Sequence, residues 1–272
     1  MSTYKTQGII IKRSHFGEAN LLLDIYTKEY GKIQAVARSA RKARGKLKGH
    51  LEVFLLTDLI LAYGKSIDTI TNSTVKNNFL NFRNNLKISL GAYYVLELVN
   101  KMTIQYHKDE RVFELLKKEL YFLDHLAKEV DANEHSVPEV IKKYYLSILF
   151  LQINMLDLSG FHPEVNKCVS CANKITSGKN SFSFKFGGTL DEKCSFKDID
   201  AISASDNAIK LVRLFSLQKT DNDEYKIYLE KTFQKFGKIQ IEDKLIFEII
   251  SIMNRFIEFN VDRKIEGFRF LG

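Results

Sequence analysis

Tryptophan is absent from this chain, proline occurs only twice and cysteine three times. No apolar run approaches the roughly 20 residues that a membrane-spanning helix needs. So little proline argues against long linkers and suits long, uninterrupted helices. The cysteines, Cys168, Cys171 and Cys194, are an odd number gathered in one region. That suits a metal site or reduced thiols rather than an extracellular disulfide framework. The segment Met1-Ser-Thr-Tyr-Lys-Thr lacks the charged-then-apolar order of a signal peptide, so a soluble, cytosolic protein with no membrane partner is expected.

Catalytic signatures are missing too. No G-x-x-x-x-G-K-[ST] string occurs, which leaves ATP-driven chemistry unsupported. G-x-S-x-G is absent, and the six histidines form no H-E-x-x-H pair. Asp24, Asp58 and Asp68 are scattered, without the neighbours a two-metal nuclease requires. Asp221-Asn-Asp223-Glu224 lacks the glycine and the distant glutamate of a calcium loop. Binding without catalysis is the expected class.

What the chain has in excess is positive charge. A formal net charge of +8 and a pI near 9.1 favour an anionic partner, nucleic acid or an anionic membrane surface. The charge is densest in Arg38-Ser-Ala-Arg41-Lys42-Ala-Arg44-Gly-Lys46-Leu-Lys48, six cations in eleven residues with no acid among them. Such a run repels itself, and a polyanion along it converts repulsion into attraction by releasing condensed counterions. The plainer reading of a charge run is a solvated surface loop.

The length of 272 residues with 45% hydrophobic content predicts two domains, or one with a large elaboration. From Tyr4 to about Val75, short strand-like runs alternate with turn residues. Gly8 to Arg13 is β-branched and apolar, and Asn20 to Thr27 sets Leu21, Leu23 and Ile25 on one face. Lys28-Glu-Tyr-Gly31 supplies a turn, after which Ile33, Ala35 and Ala37 face away from Lys32, Gln34 and Arg38. Phe54 to Tyr63 and Ile67 to Val75, joined by Gly64-Lys65-Ser66, bring the total to about five strands. Five short strands bury little as an open sheet, so closure into a small OB-like barrel is expected. The basic stretch then occupies the connection between the third and fourth strands, broken by Gly45 and Gly49, as a mobile arm beside the barrel mouth. Lys12 and Arg13, followed by the turn His15-Phe16-Gly17, add charge and a ring from a neighbouring hairpin, the combination of stacking ring and phosphate-tracking cation that holds single strands.

Beyond Arg83 the period becomes helical. Helices are predicted from Asn84 to about Met102, Glu110 to about Lys128, Pro138 to about Leu158, Ser205 to about Leu217 and Asp243 to about Phe259. The run from Tyr144 to Leu151 is apolar nearly all round, which marks a buried central helix. The fold class is therefore α+β: an N-terminal small β-barrel of the OB-fold at 1–80, then an all-helical domain at 81–272 with an inserted zinc-ribbon-like segment at about 160–198.

That segment carries the metal candidates. Cys168-x-x-Cys171 is the knuckle half of a tetrahedral zinc site, since a two-residue gap lets both thiolates approach one ion. Nineteen residues separate Cys171 from Asp191, and Cys194 follows, the spacing of a four-cysteine ribbon with aspartate in the third position. His162 is an alternative fourth ligand. Without a metal, the cysteines would be small buried hydrophobes held by packing.

Taken together, these residues resemble a known family. Gly8-Ile-Ile-Ile-Lys-Arg13, Gly17-Glu-Ala-Asn-Leu-Leu-Leu, Tyr30-Gly31-Lys32, and Ala37-Arg38 with its basic loop are similar to the RecO family of DNA recombination and repair mediators. Gly160-Phe-His-Pro-Glu-Val-Asn-Lys-Cys168-Val-Ser-Cys171, Phe182-Ser183 through Gly187-Gly188 to Cys194, and Arg269-Phe270-Leu271 extend the likeness nearly to full length. The resemblance implies an OB-fold followed by a helical domain, binding to single- and double-stranded DNA, and annealing of complementary strands. It also implies loading of RecA onto strands coated by single-strand-binding protein, in concert with RecR. Asp191 departs from the cysteine that members with a full zinc site carry.

On charge density and placement, Arg38, Arg41, Lys42, Arg44, Lys46 and Lys48 are expected to contact phosphates, with Lys12, Arg13 and Lys32 supporting them. Cytoplasmic, nucleoid-associated localisation goes with that role. Two other classes stay open from the residues alone. One is an interaction scaffold whose basic loop meets an acidic peptide, such as the acidic C-terminal tail of single-strand-binding protein. The other is an RNA-binding OB protein.

Overall fold

The computed structural model describes residues 2–41, 47, 49–131, 137–216 and 242–271. By compactness the chain divides between residues 134 and 135. In the first unit five strands, β1 (Thr3–Phe16), β2 (Asn20–Thr27), β3 (Gly31–Ala37), β4 (Leu56–Ala62) and β5 (Asp68–Asn77), close into a barrel in the order β1-β2-β3-β5-β4. Closure depends on the length of β1. Its first half pairs antiparallel with β4 and its second with β2, and the register shifts between Ile10 and Lys12, a bulge that bends the strand from one partner to the other. A short parallel contact, Ala35 with Asp68 and Val36 with Thr69, joins β3 to β5 and removes the last free edge.

The alternation read from sequence fills the interior. Leu21, Leu23, Ile25, Ile33, Ala35 and Ala37 bury together with Leu59, Leu61 and Ile70, and Ala40, Leu51 and Leu55 of the connection before β4 join the same cluster. Gly31 opens β3 at φ +65, and a Cβ there would lie 2.0 Å from the His107 carbonyl oxygen, so the turn before β3 needs glycine twice over.

Helices α1 (Leu80–Arg83), α2 (Leu86–Met102) and α3 (Glu110–Asp131) share this compact unit with the barrel. Asn85 caps α2 by accepting from the Ile88 N–H at 3.2 Å. Asp124 of α3 accepts from the N–H groups of Asn81 and Phe82 at 2.9 and 3.2 Å. Phe54, just before β4, packs edge-on to Phe82 and Tyr93 at ring distances of 5.0 and 4.6 Å. Arg83 lies 5.4 Å over the Phe54 ring and donates to the Val53 carbonyl at 2.7 Å. These contacts pin the C-terminal end of the basic connection.

The second unit contains α4 (Val137–Leu158), α5 (Asp206–Ser216) and α6 (Asp243–Val261). Helix α4 is the buried centre that its composition predicts, with every residue from Tyr144 to Ile153 buried, and the Gln152 amide donates to the Ile250 carbonyl of α6 at 3.2 Å. A three-stranded sheet of order β7-β6-β8, from β6 (Ser181–Ser183), β7 (Gly188–Leu190) and β8 (Ile202–Ser203), carries the cysteine segment. Phe182 of β6 meets Phe256 of α6 at 5.3 Å. The acidic segment at 221–224 lies outside the described residues. Among the described residues, no helix is long and apolar enough to cross a membrane.

Candidate nucleic-acid interface and metal centre

The β1–β2 turn and the start of the basic connection meet at one end of the barrel. Asn20 accepts from the Ser39 N–H through Oδ1 at 2.9 Å, and the Arg41 N–H donates to the Ala19 carbonyl at 3.0 Å. The Arg41 guanidinium reaches back over the turn, donating from Nη1 to the Glu18 carbonyl at 2.9 Å. Two anchors, one backbone and one side-chain, thus set Arg41 at the surface. Ala40 beside it is buried, Leu47 packs on the barrel core and Leu51 after the run is buried again, so these three apolar residues rest on the barrel.

Arg38 and Arg41 are exposed on this end, and Lys12 is exposed farther back on β1, opposite Asp24 of β2. Phe16, 46% exposed, is the register partner of Asn20 and so borders the same end. A hollow of about 210 Å³ opens between Arg13, Ala40, Arg41, Leu47, Gly49 and Glu52. Arg13 is ion-paired with Glu52, a partner on the far side of the charge run that the count of cations did not anticipate. Lys42, Arg44, Lys46 and Lys48 lie outside the described residues.

Lys32 does not belong with these cations. It is 7% exposed, and its Nζ donates to the Asn100 carbonyl at 2.5 Å, to Asn100 Oδ1 at 3.2 Å and to the Thr103 carbonyl at 2.6 Å. The ammonium therefore caps the C-terminal end of α2, where carbonyls lack helical partners and the dipole is negative. Alternation along β3 put Lys32 on the outer face correctly. At Lys32 that face is covered by the end of α2 and the loop after it, so outward does not mean solvent-exposed.

In the second unit the ligand atoms of Cys168, Cys171, Asp191 and Cys194 all lie within 4.8 Å of one another. Two tight turns bring them together. The Ala172 N–H donates to the Cys168 carbonyl at 2.9 Å with Ala172 at φ +62, and the Cys194 N–H donates to Asp191 Oδ1 at 2.8 Å. The Asp191 N–H points at Cys168 Sγ from 3.5 Å, and the Cys171 thiol donates to Asp191 Oδ2 at 3.2 Å. That thiol contact holds the Asp191 carboxyl below its ordinary range. Burial, then the contact with Asp191, pushes the Cys194 thiol up to about 11, so a cation entering here displaces protons. The donor set suits one ion: tetrahedral zinc–sulfur bonds of about 2.3 Å hold their sulfurs about 3.8 Å apart, and donors no more than 4.8 Å from one another need only a small closure to reach that. His162 pairs instead with Asp157 at 3.2 Å and is not part of the cluster. Arg213 of α5 donates from Nε to the Val165 carbonyl at 2.7 Å, which fastens the segment to the helices.

Sequence similarity to known proteins extends over both units. Residues 1–79 match the family profile described as Recombination protein O N terminal, and residues 142–267 match Recombination protein O C terminal. The DNA repair protein RecO of Dehalococcoides mccartyi is 34% identical over 225 residues, spanning 83% of this chain and 81% of that protein. The chain belongs to the RecO family. Further RecO proteins, from Roseiflexus sp. and Alkaliphilus metalliredigens, are 33% identical over 215 residues and 27% over 259, covering 79% and 95% of this chain and 70% and 94% of their own lengths. A role in DNA repair and recombination comes with that membership. Within this chain, the sequence pattern did not reveal Asn20, Glu52 and Arg83 as organisers of the basic connection. Only Asn20 left a signal, as a polar residue directly after the Gly17 turn.

Proposed function

We propose that this chain is a non-enzymatic recombination mediator that binds single- and double-stranded DNA and anneals complementary strands. With RecR, it helps load RecA onto strands coated by single-strand-binding protein. The observation that carries the reading is the anchored basic end of the barrel, where Arg38 and Arg41 are exposed beside Phe16, in a chain of the RecO family. Arg38, Arg41, Lys42, Arg44, Lys46 and Lys48 are the phosphate contacts of this proposal, with Lys12 and, through its exchange with Glu52, Arg13 in support. Annealing needs no bond chemistry: a surface that neutralises two strands lowers their repulsion and lets pairing proceed. DNA contact is assigned to residues 1–80 and choice of protein partner, including the acidic tail of single-strand-binding protein, to 81–272. Action is cytoplasmic, at the nucleoid.

Zinc is the metal we assign to Cys168, Cys171, Asp191 and Cys194, as a structural ion that cross-links the two turns. Three thiolates favour zinc over harder cations, and the aspartate weakens the site relative to four cysteines.

The test replaces Arg41, Lys42 and Arg44 together by alanine and titrates oligonucleotide binding against salt. The slope of log affinity on log salt should flatten by about three units, roughly one per lost phosphate contact. An unchanged affinity and slope would contradict the assignment. Binding of matched DNA and RNA, and of an acidic peptide, separates this reading from an RNA-binding barrel and from a protein scaffold. Strand annealing measured with single-strand-binding protein present tests the mediator role directly.

A further inference from the structure

Cations and exposed rings also meet in the second unit, away from every residue assigned above. Arg255 and Phe259 stand one turn apart on α6 and so share a face. Phe184, next after β6, packs against both, with the Arg255 guanidinium 5.1 Å above its ring and the Phe259 ring 6.5 Å away. The chain leaves α6 through Asp262, which holds a left-handed conformation at φ +50, and the turn brings Arg263 and Lys264 to the same place. These residues line an open hollow of about 360 Å³, within the range of about 300–1,000 Å³ that small ligands occupy. Phe259 is 55% exposed there.

The charges around the hollow are unevenly committed. Glu258 accepts from the Ile265 N–H at 2.9 Å and from the Lys264 ammonium at 3.1 Å, so its charge is spent on closing the turn. Among the described residues, neither Arg255 nor Arg263 has a carboxylate within ion-pair distance, leaving Asp262 as the one acid that opposes them on the lining. A guanidinium already stacked on one ring, a second ring exposed beside it and a further arginine at the rim match a flat aromatic group carrying an anionic backbone.

We propose that this groove takes one unpaired base of a single DNA strand, stacked on Phe259 beside Arg255, with Arg263 on an adjacent phosphate. The proposal rests on the DNA-binding function put forward above and adds a second strand contact, separate from the basic end of the barrel. Stacking engages the face of a base rather than its pairing edge, so the contact is indifferent to sequence.

The absence of tryptophan provides the probe. Phe259→Trp in the full chain introduces its one indole, at a half-exposed position that tolerates a larger ring. Titration with a dye-labelled oligo-dT then reads two signals at once, dye anisotropy for total binding and indole fluorescence for the groove. Saturation is expected to quench the indole several-fold, and adding Arg255→Ala should move the quench midpoint to about tenfold higher oligonucleotide. Anisotropy showing binding while the indole stays unquenched would overturn the groove and leave the function intact. Absence of binding in both signals would overturn the function and the groove together. Quenching by an acidic peptide with none by oligo-dT would assign the groove to a protein partner and sink the proposal.

Discussion

Replacing Lys32 by methionine separates a structural ammonium from a phosphate contact, because methionine keeps most of the buried stem and removes only the charge. The lost donor serves three oxygens at 2.5, 3.2 and 2.6 Å, two of them carbonyls at the end of α2. Hydrogen bonds to a charged group contribute about 1.5–3 kcal/mol each, and a cation at a helix C-terminus up to ~2 kcal/mol. These terms overlap, and desolvation of the ammonium opposes them, so the net loss should be about 2–4 kcal/mol. With a urea dependence of about 2 kcal/mol per molar, the unfolding midpoint should fall by roughly 1–2 M. Oligonucleotide affinity and its salt slope, measured well below that midpoint, should stay as they are. An unchanged midpoint together with a slope flattened by about one unit would return Lys32 to the phosphate contacts and refute the capping role.

Protein purified without chelator should carry about one equivalent of zinc per chain by elemental analysis, and a complete absence of metal would remove the assignment. Asp191→Cys should tighten zinc in competition with a chromogenic chelator and Asp191→Ala should weaken it; equal affinities would take Asp191 out of the ligand set. Asp109 accepts from Arg111 at 2.7 Å just before α3, and that bond lowers its carboxyl below the ordinary range. A depressed carboxylate contributes stability that is full above the unfolded value near 4 and is lost as pH falls through the folded one. The stability advantage of the native chain over Asp109→Asn should therefore be constant from neutrality down to about pH 5 and shrink below about pH 4. An advantage independent of pH would show that the charge of Asp109 contributes nothing.

Local pattern made much of this protein legible before any coordinates. The alternation of Leu21, Leu23 and Ile25, and of Ile33, Ala35 and Ala37, specifies which face is buried whatever surrounds it, because side chains on a strand repeat every two residues. Too few strands for an open sheet then lead to a barrel. The run from Tyr144 to Leu151, apolar but for Ser147, calls for burial on every side of its helix, and α4 has it. Cys168-x-x-Cys171 and the turn at Asp191 to Cys194 mark four candidate metal ligands by spacing, since each half is a local turn, and the four do come together. These features depend on residues close together in the chain.

Tertiary structure alone decided what covers each face and which charge meets which. Lys32 and Arg38 lie on the same outer face of β3 by sequence, yet one caps α2 and the other meets solvent, because the end of a helix that starts more than fifty residues later covers only one of them. Arg13 finds Glu52 and Arg83 finds Phe54 across shorter but still non-local separations, and the Arg255–Phe184 groove joins residues seventy-one apart. No periodicity records such pairings, since they arise when packed elements are brought together and their remaining charges settle on the nearest partner. The basic run was visible from the first reading; which of its supporting cations face outward was settled only by what packs behind them.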